Sequence, residues 1–171
     1  FLMGKASFAK NDFEGAITTF QFIANEYKDA KKVKLKDGEP ISIATTENRK
    51  GIRKLRHHPI RNDALLWLAK SYIAAEQYGN AQSLLSTLQK DKNFPERKKA
   101  ELFLTKANLD ITQNNPDTAI QSLELALKQN LSTKQRTRTE FLLGQLYAER
   151  KDFAKSSEHY KKSIDGKNDP E

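Results

Sequence analysis

Cysteine is absent from the 171 residues, so the chain can build no disulfide framework, thiolate nucleophile, thiol-based zinc site or iron–sulfur cluster. That absence is neutral about redox compartment. Long apolar runs are missing too: the longest, residues 64–69, is far below the roughly 20 residues a membrane-spanning helix needs. There is one tryptophan and one methionine, and only 7 glycines and 5 prolines. No glycine-rich phosphate loop appears, and no Ser, His and Asp spacing suggests a catalytic triad. What is present is 37% hydrophobic and 30% charged residues, with 9 phenylalanines and 5 tyrosines to pack. This suits one folded domain and argues against wholesale disorder. The chain starts at Phe1 with no signal-peptide pattern, and it reads as a piece of a longer protein whose targeting or anchoring segments lie outside it.

Four stretches share one spacing. Small residues at Gly4, Ala69, Ala107 and Gly144 recur at steps of 65, 38 and 37 residues. Each is followed by a polar turn and then by a second small residue, at Ala16, Ala81, Ala119 and Ser156. Apolar positions before and after each turn recur at helical spacing, so each stretch predicts a helical hairpin. Two helices meeting at paired small residues can approach closely. Asn115 is placed to cap a helix whose first residue is Pro116, where the missing N–H costs nothing. Phe13, Tyr72, Tyr78, Tyr147 and Phe153 sit at interface spacing and are expected in the core, with Trp67 in a more variable slot.

These residues resemble the tetratricopeptide repeat, a unit of roughly 34 residues with the pattern W-x2-L-G-x2-Y, then A-x3-F, then P. Leu143-Gly144-Gln145-Leu146-Tyr147 matches the first half without a gap, and Ala16-x3-Phe20 matches the second. Ala81-x3-Leu85, Ala119-x3-Leu123 and Ser156-x3-Tyr160 are conservative variants. The tryptophan slot holds Leu65, Phe103 or Glu140, and the third unit has Lys106 and Asp110 where Leu and Tyr are usual. The expected fold is an all-α, right-handed tetratricopeptide-like superhelix of about eight helices. It would be a single domain over 1–171, with units at about 1–30, 61–94, 97–130 and 134–168. The runs at 1–27, 61–72 (RNDALLWLAKSY) and 138–160 further resemble the tetratricopeptide lipoproteins of the Bacteroidetes type IX secretion and gliding-motility machinery, of the PorW/SprE type. That resemblance implies a non-catalytic scaffold on the periplasmic side of the outer membrane, with its lipid anchor outside these residues. Other envelope-assembly adaptors share parts of these phrases and are the alternative.

The first step is about 31 residues longer than one repeat, which places an insertion at about residues 31–60. Between residues 28 and 61 there are 11 Lys and Arg against 4 Asp and Glu, while the remainder has 19 against 18. Nearly all of the net +8 therefore sits in one segment. Alternation at residues 33–36 and 41–45 around Asp37-Gly38-Glu39-Pro40 predicts a small β-hairpin. Lys31, Lys32, Lys34, Lys36, Arg49, Lys50, Arg53, Lys54 and Arg56 are candidates for an acidic protein surface or anionic lipid headgroups. The plainer reading is a solvated loop. A nucleic-acid adaptor is the weaker rival, because this segment has no aromatic to stack on bases and no reader motif.

His57-His58-Pro59 invites a metal reading, but adjacent side chains point apart, so no metal site and no cofactor are expected. The first helices of tetratricopeptide units line a concave groove. By that pattern the lining is Phe8, Leu66, Lys70, Ile73, Leu104, Asn108, Ile111, Phe141 and Gln145. The outer slots Phe1, Leu66, Leu104 and Phe141 are apolar, which departs from the Lys and Asn of carboxylate-clamp co-chaperones. Such a groove suits an amphipathic helix or an extended apolar segment of a protein partner; the plainer alternative is packing on a neighbouring helix of the parent chain. If the insertion binds an acidic partner, reversing charge at Arg53, Lys54 and Arg56 leaves thermal unfolding unchanged and lowers partner recovery. Equal recovery at low salt would remove the segment from the mechanism.

Overall fold

The structure, a computed structural model, describes residues 1–27, 32–33, 46–49, 52–55 and 59–165. Among these, eight helices run in sequence: α1 (Leu2–Ala9), α2 (Phe13–Glu26), α3 (Pro59–Ala74), α4 (Tyr78–Lys90), α5 (Glu96–Thr112), α6 (Pro116–Leu127), α7 (Thr133–Glu149) and α8 (Phe153–Asp165). Taken in pairs they form four hairpins, the all-α tetratricopeptide-like class expected from the repeat. Three short strands lie between α2 and α3. The chain divides into two compact units, Phe1–Leu84 and Leu85–Glu171.

One turn is used four times. Asn11, Glu76, Asn114 and Lys151 have φ of 61°, 59°, 58° and 61°, and they recur at the same steps of 65, 38 and 37 residues. After each, the next N–H reaches back five residues: Asp12 to Ser7 O, Gln77 to Tyr72 O, Asn115 to Asp110 O and Asp152 to Tyr147 O, at 2.8–2.9 Å. This left-handed helix stop satisfies carbonyls that the ending helix leaves unpaired. The same residue then starts the second helix. Its carbonyl accepts from Ala16, Ala81, Ala119 or Ser156 N–H at 3.0–3.1 Å. Asn tolerates the left-handed region best after glycine; the glutamate and lysine are held there by the two helices they join.

In the first unit, Ala16, Ile17, Phe20 and Ile23 of α2 pack against Ala64 and Leu68 of α3. Trp67 stacks on Phe20 at 6.0 Å, and Phe8 meets Phe13 and Trp67 edge-on, each at 5.4 Å. Polar bonds stitch α2 to the α3 side: Gln21 Nε2 donates to Tyr72 Oη at 2.7 Å and Arg61 Nε to Ala24 O at 3.3 Å. Asp12 caps α2 by accepting from Gly15 N–H at 3.0 Å.

The insertion contributes β1 (Lys32–Val33), β2 (Thr46–Arg49) and β3 (Ile52–Leu55), an antiparallel sheet in the order β1-β3-β2. The expected hairpin joins 33–36 with 41–45. Val33 is paired with Arg53, and the other residues of that hairpin lie outside the described ones. Arg49 pairs with Ile52, and the sequence between them is Lys50-Gly51; a glycine there is a sequence signal for a hairpin that alternation alone passes over.

In the second unit, Ala107 of α5, Ala119, Ile120 and Leu123 of α6 and Leu143, Leu146 and Tyr147 of α7 form one buried cluster. Ser132 and Gln135 make a capping box at the start of α7. Pro116 opens α6 as expected, but the Asn115 side chain makes no capping bond. Phe153 was expected in the core and is instead 68% exposed. Its counterpart Phe13 has the Phe8 ring to pack on, whereas the position equivalent to Phe8 in the last hairpin is Ala148, only a methyl group.

All eight small residues of the repeat are buried. At Gly144 the approach is close: Ser156 Oγ donates to its carbonyl at 2.9 Å, and an added Cβ would lie 2.7 Å from the Tyr160 ring. Gly144→Ala therefore overpacks the α7–α8 contact, costing about 1–3 kcal/mol against a helix-propensity gain of about 1 kcal/mol. Chemical denaturation should show a net loss. Gly79→Ala, where nothing lies within 4 Å, should be neutral or slightly stabilising; equal effects of the two would contradict the packing.

Candidate partner-binding surfaces

The first helices of the hairpins, α1, α3, α5 and α7, carry the residues expected to line a groove. Leu66 and Ile73 are 0% and 6% exposed, so they present no surface. Leu104 is half-buried against the second unit's core cluster. Phe8 is half-buried between Phe13 and Trp67. The exposed members are Asn108 and Ile111, one turn apart on α5, and Phe141 and Gln145, one turn apart on α7. The Phe141 ring is 47% exposed and leans on Tyr160 at 5.5 Å.

Lys70 lies with its Nζ 4.8 Å from the centre of the Trp67 ring. A residue that sequence reasoning missed joins it there. Lys5 Nζ stands 4.9 Å from the same ring and 4.8 Å from Phe1. The helical offset of Trp67 and Lys70 could have signalled half of this arrangement; the approach of α1 could not be read from spacing.

Of the basic insertion, Lys32, Arg49, Arg53 and Lys54 fall within the described strands. The backbone register sets Lys32 opposite Lys54, and Glu47 opposite Lys54 on the other side. Lys31, Lys34, Lys36, Lys50 and Arg56 lie outside the described residues. Among the described residues no group of three or more His, Cys, Asp and Glu could hold a metal ion. None of the described helices is long and apolar enough to cross a membrane.

Two polar substitutions in the repeat pattern are answered from the partner helix. Glu140, in the tryptophan slot, is buried on α7, with its Oε2 2.7 Å from His159 Nδ1 on α8. The imidazole stacks on Tyr147 at 5.3 Å. An interior carboxylate needs such a partner, and the slot itself was the available signal. Tyr147 Oη donates to Glu124 Oε1 at 2.8 Å; burial, then this bond, pushes the phenol up to about 12.

Asp110, in the tyrosine slot of α5, accepts from Ser122 Oγ of α6 at 3.3 Å. Burial raises its carboxyl above the ordinary value, with Ser122, Thr118 and Lys106 opposing. The folded chain thus holds this proton more tightly than the unfolded one. Its contribution is fully present below the ordinary carboxylate range and is lost as pH rises through the raised value. Asp110→Asn, which keeps an acceptor for Ser122, should melt higher than the parent at pH 7, with the gap closing on acidification. A gap independent of pH would show that the charge of Asp110 is not its cause.

A family model for the tetratricopeptide repeat matches residues 63–91, which fall on α3 and α4. Among solved structures the chain is similar to one described as the crystal structure of MamA protein, at 19% identity and a TM-score of 0.60, over 96% of this chain and 69% of that one. No curated protein sequence matches the chain. The matched repeat and the shared fold show a tetratricopeptide-like helical array.

Proposed function

We propose that the chain is a non-catalytic scaffold of the type IX secretion and gliding-motility machinery, working on the periplasmic side of the outer membrane. The observation that carries this reading is the ordered set of sequence phrases at 1–27, 61–72 and 138–160 that resembles the tetratricopeptide lipoproteins of that machinery. The exposed Ile111 and Phe141, flanked by Asn108 and Gln145, supply apolar anchors with polar neighbours. That is the composition a protein partner's apolar segment would recognise. The basic insertion offers a second, electrostatic attachment to an acidic subunit or to anionic headgroups.

Photo-crosslinking tests this in the full-length parent within its native envelope, from Asn108, Phe141 and Lys54. Crosslinks from Asn108 and Phe141 to other secretion-machine subunits are the expected result. Crosslinks only to unrelated envelope-assembly proteins would replace the machinery assignment while keeping the scaffold. Products confined to the parent's own chain would make those faces internal packing.

A further inference from the structure

Helix α7 carries an exposed row along one face. Lys134, Arg138, Phe141 and Gln145 follow one another at steps of four, three and four residues, which stacks them on the same side of the helix, and all four are exposed. The row is cationic at its start and apolar further on. No acidic residue occurs between Glu124 and Glu140, a stretch that holds Lys128, Lys134, Arg136 and Arg138. Those two glutamates are already engaged, Glu124 with Tyr147 Oη at 2.8 Å and the buried Glu140 with His159 Nδ1 at 2.7 Å. Among the described residues neither Lys134 nor Arg138 has an ion-pair partner. Helix physics opposes this placement. Like charges one turn apart repel, and Lys134 stands in the first turn of α7, where the macrodipole favours an acid and none is present. Arg136 lies two residues from each of them, on the other side of the helix, with its Nη2 3.5 Å from the Leu127 carbonyl. The Phe141 ring is held against Tyr160 at 5.5 Å.

We propose that this row docks an acidic–apolar segment of a protein partner, with carboxylates on Lys134 and Arg138 and an apolar side chain on the Phe141 ring. Charge complementarity selects the occupant. Carboxylates offset the repulsion between the two cations and accept charge-assisted hydrogen bonds from them, while the ring beside them disfavours a segment that is charged throughout. At 1.5 Å per residue the ring stands about 7 Å along the helix from the midpoint of the cations. Two residues of an extended chain cover about that distance, so acid and apolar anchor stand two residues apart in the segment. Beyond the ring, the Gln145 amide offers a donor and an acceptor to the segment's backbone. The inference rests on the reading of this α7 face as a partner-binding surface and not on the secretion-machinery assignment.

Fluorescence anisotropy of a dye-labelled peptide, EEDELLF, titrated with the chain at low salt tests this. Saturable binding is expected, weakening as ionic strength shortens the screening length. Lys134→Gln with Arg138→Gln should weaken binding about tenfold, with helicity and melting at or above those of the parent because a repulsion is removed. Lys128→Gln with Arg136→Gln removes the same charge away from the row and should leave the affinity near the parent value. Equal losses in the two variants would reduce the effect to net charge and overturn the proposal. Unchanged affinity in the first variant would assign binding to the basic insertion and overturn it as well. The neutral peptide QQNQLLF should bind about tenfold more weakly than EEDELLF; equal binding overturns the acidic occupant while keeping Phe141 as an apolar anchor. Binding of neither peptide overturns the inference alone, since crosslinking from Phe141 in the native envelope tests the broader partner-binding reading. Binding to phosphatidylglycerol vesicles without binding of EEDELLF overturns it in favour of a lipid surface.

Discussion

Close approach of two backbones at one pair of small residues is the constraint on which each hairpin depends. The left-handed turn residue ends the first helix, the next residue opens the second, and the small residue four positions later meets its partner across the gap. With the turn fixed, the facing position is fixed too. At the last hairpin the gap is narrow enough for Ser156 to reach the Gly144 carbonyl. In the first, the Phe20 ring occupies the space a side chain at Gly4 would need, an added Cβ falling 2.8 Å away. A larger residue at either position is excluded by the same packing that brings the aromatic rings into the core.

This constraint is local, and for that reason it was legible. Paired small residues, polar turns and helical spacing within one repeat named the four hairpins and their order. What escaped was set by contacts between segments distant in sequence or by a missing neighbour. Phe153 has the right spacing for the core and is exposed because Ala148 replaces a ring. The second half of the insertion has few apolar residues, so nothing in its pattern distinguished a strand, yet backbone pairing built two there. The groove list shares this limit: Leu66 and Ile73 occupy the same helix face as Lys70, but burial decides which of them a partner can touch. Lys5 escaped because its place over Trp67 depends on the approach of α1.

Two acidic departures from the repeat pattern are instructive because each is compensated within its own hairpin. Glu140 stands in a slot that usually holds an aromatic, and His159 of α8 meets it. Asp110 stands where a tyrosine is usual, and Ser122 of α6 meets it. An interior carboxylate left alone would cost several kcal/mol, so these substitutions make sense only as pairs. They also make the hairpins chemically distinct, which favours α5 pairing with α6 and α7 with α8 over exchanged combinations.

With hairpin interiors committed to this pairing, recognition falls to what remains outside. The basic insertion and the exposed helix faces differ in the physics they would use. Residues outside the insertion are nearly balanced, 19 basic against 18 acidic, so the long-range field of the chain comes mainly from residues 28–61. Such a field speeds encounter with an acidic partner and fades with salt. It does little to hold the partner once docked, since exposed ion pairs contribute modestly. On the proposed reading, retention requires contacts that exclude water, for which the exposed Ile111 and Phe141 of the second unit are the candidates. On the proposed reading, a scaffold arranged in this way separates attraction from retention: the insertion would tolerate sequence change so long as its charge persists, whereas the helix faces would need particular side chains to keep a particular partner.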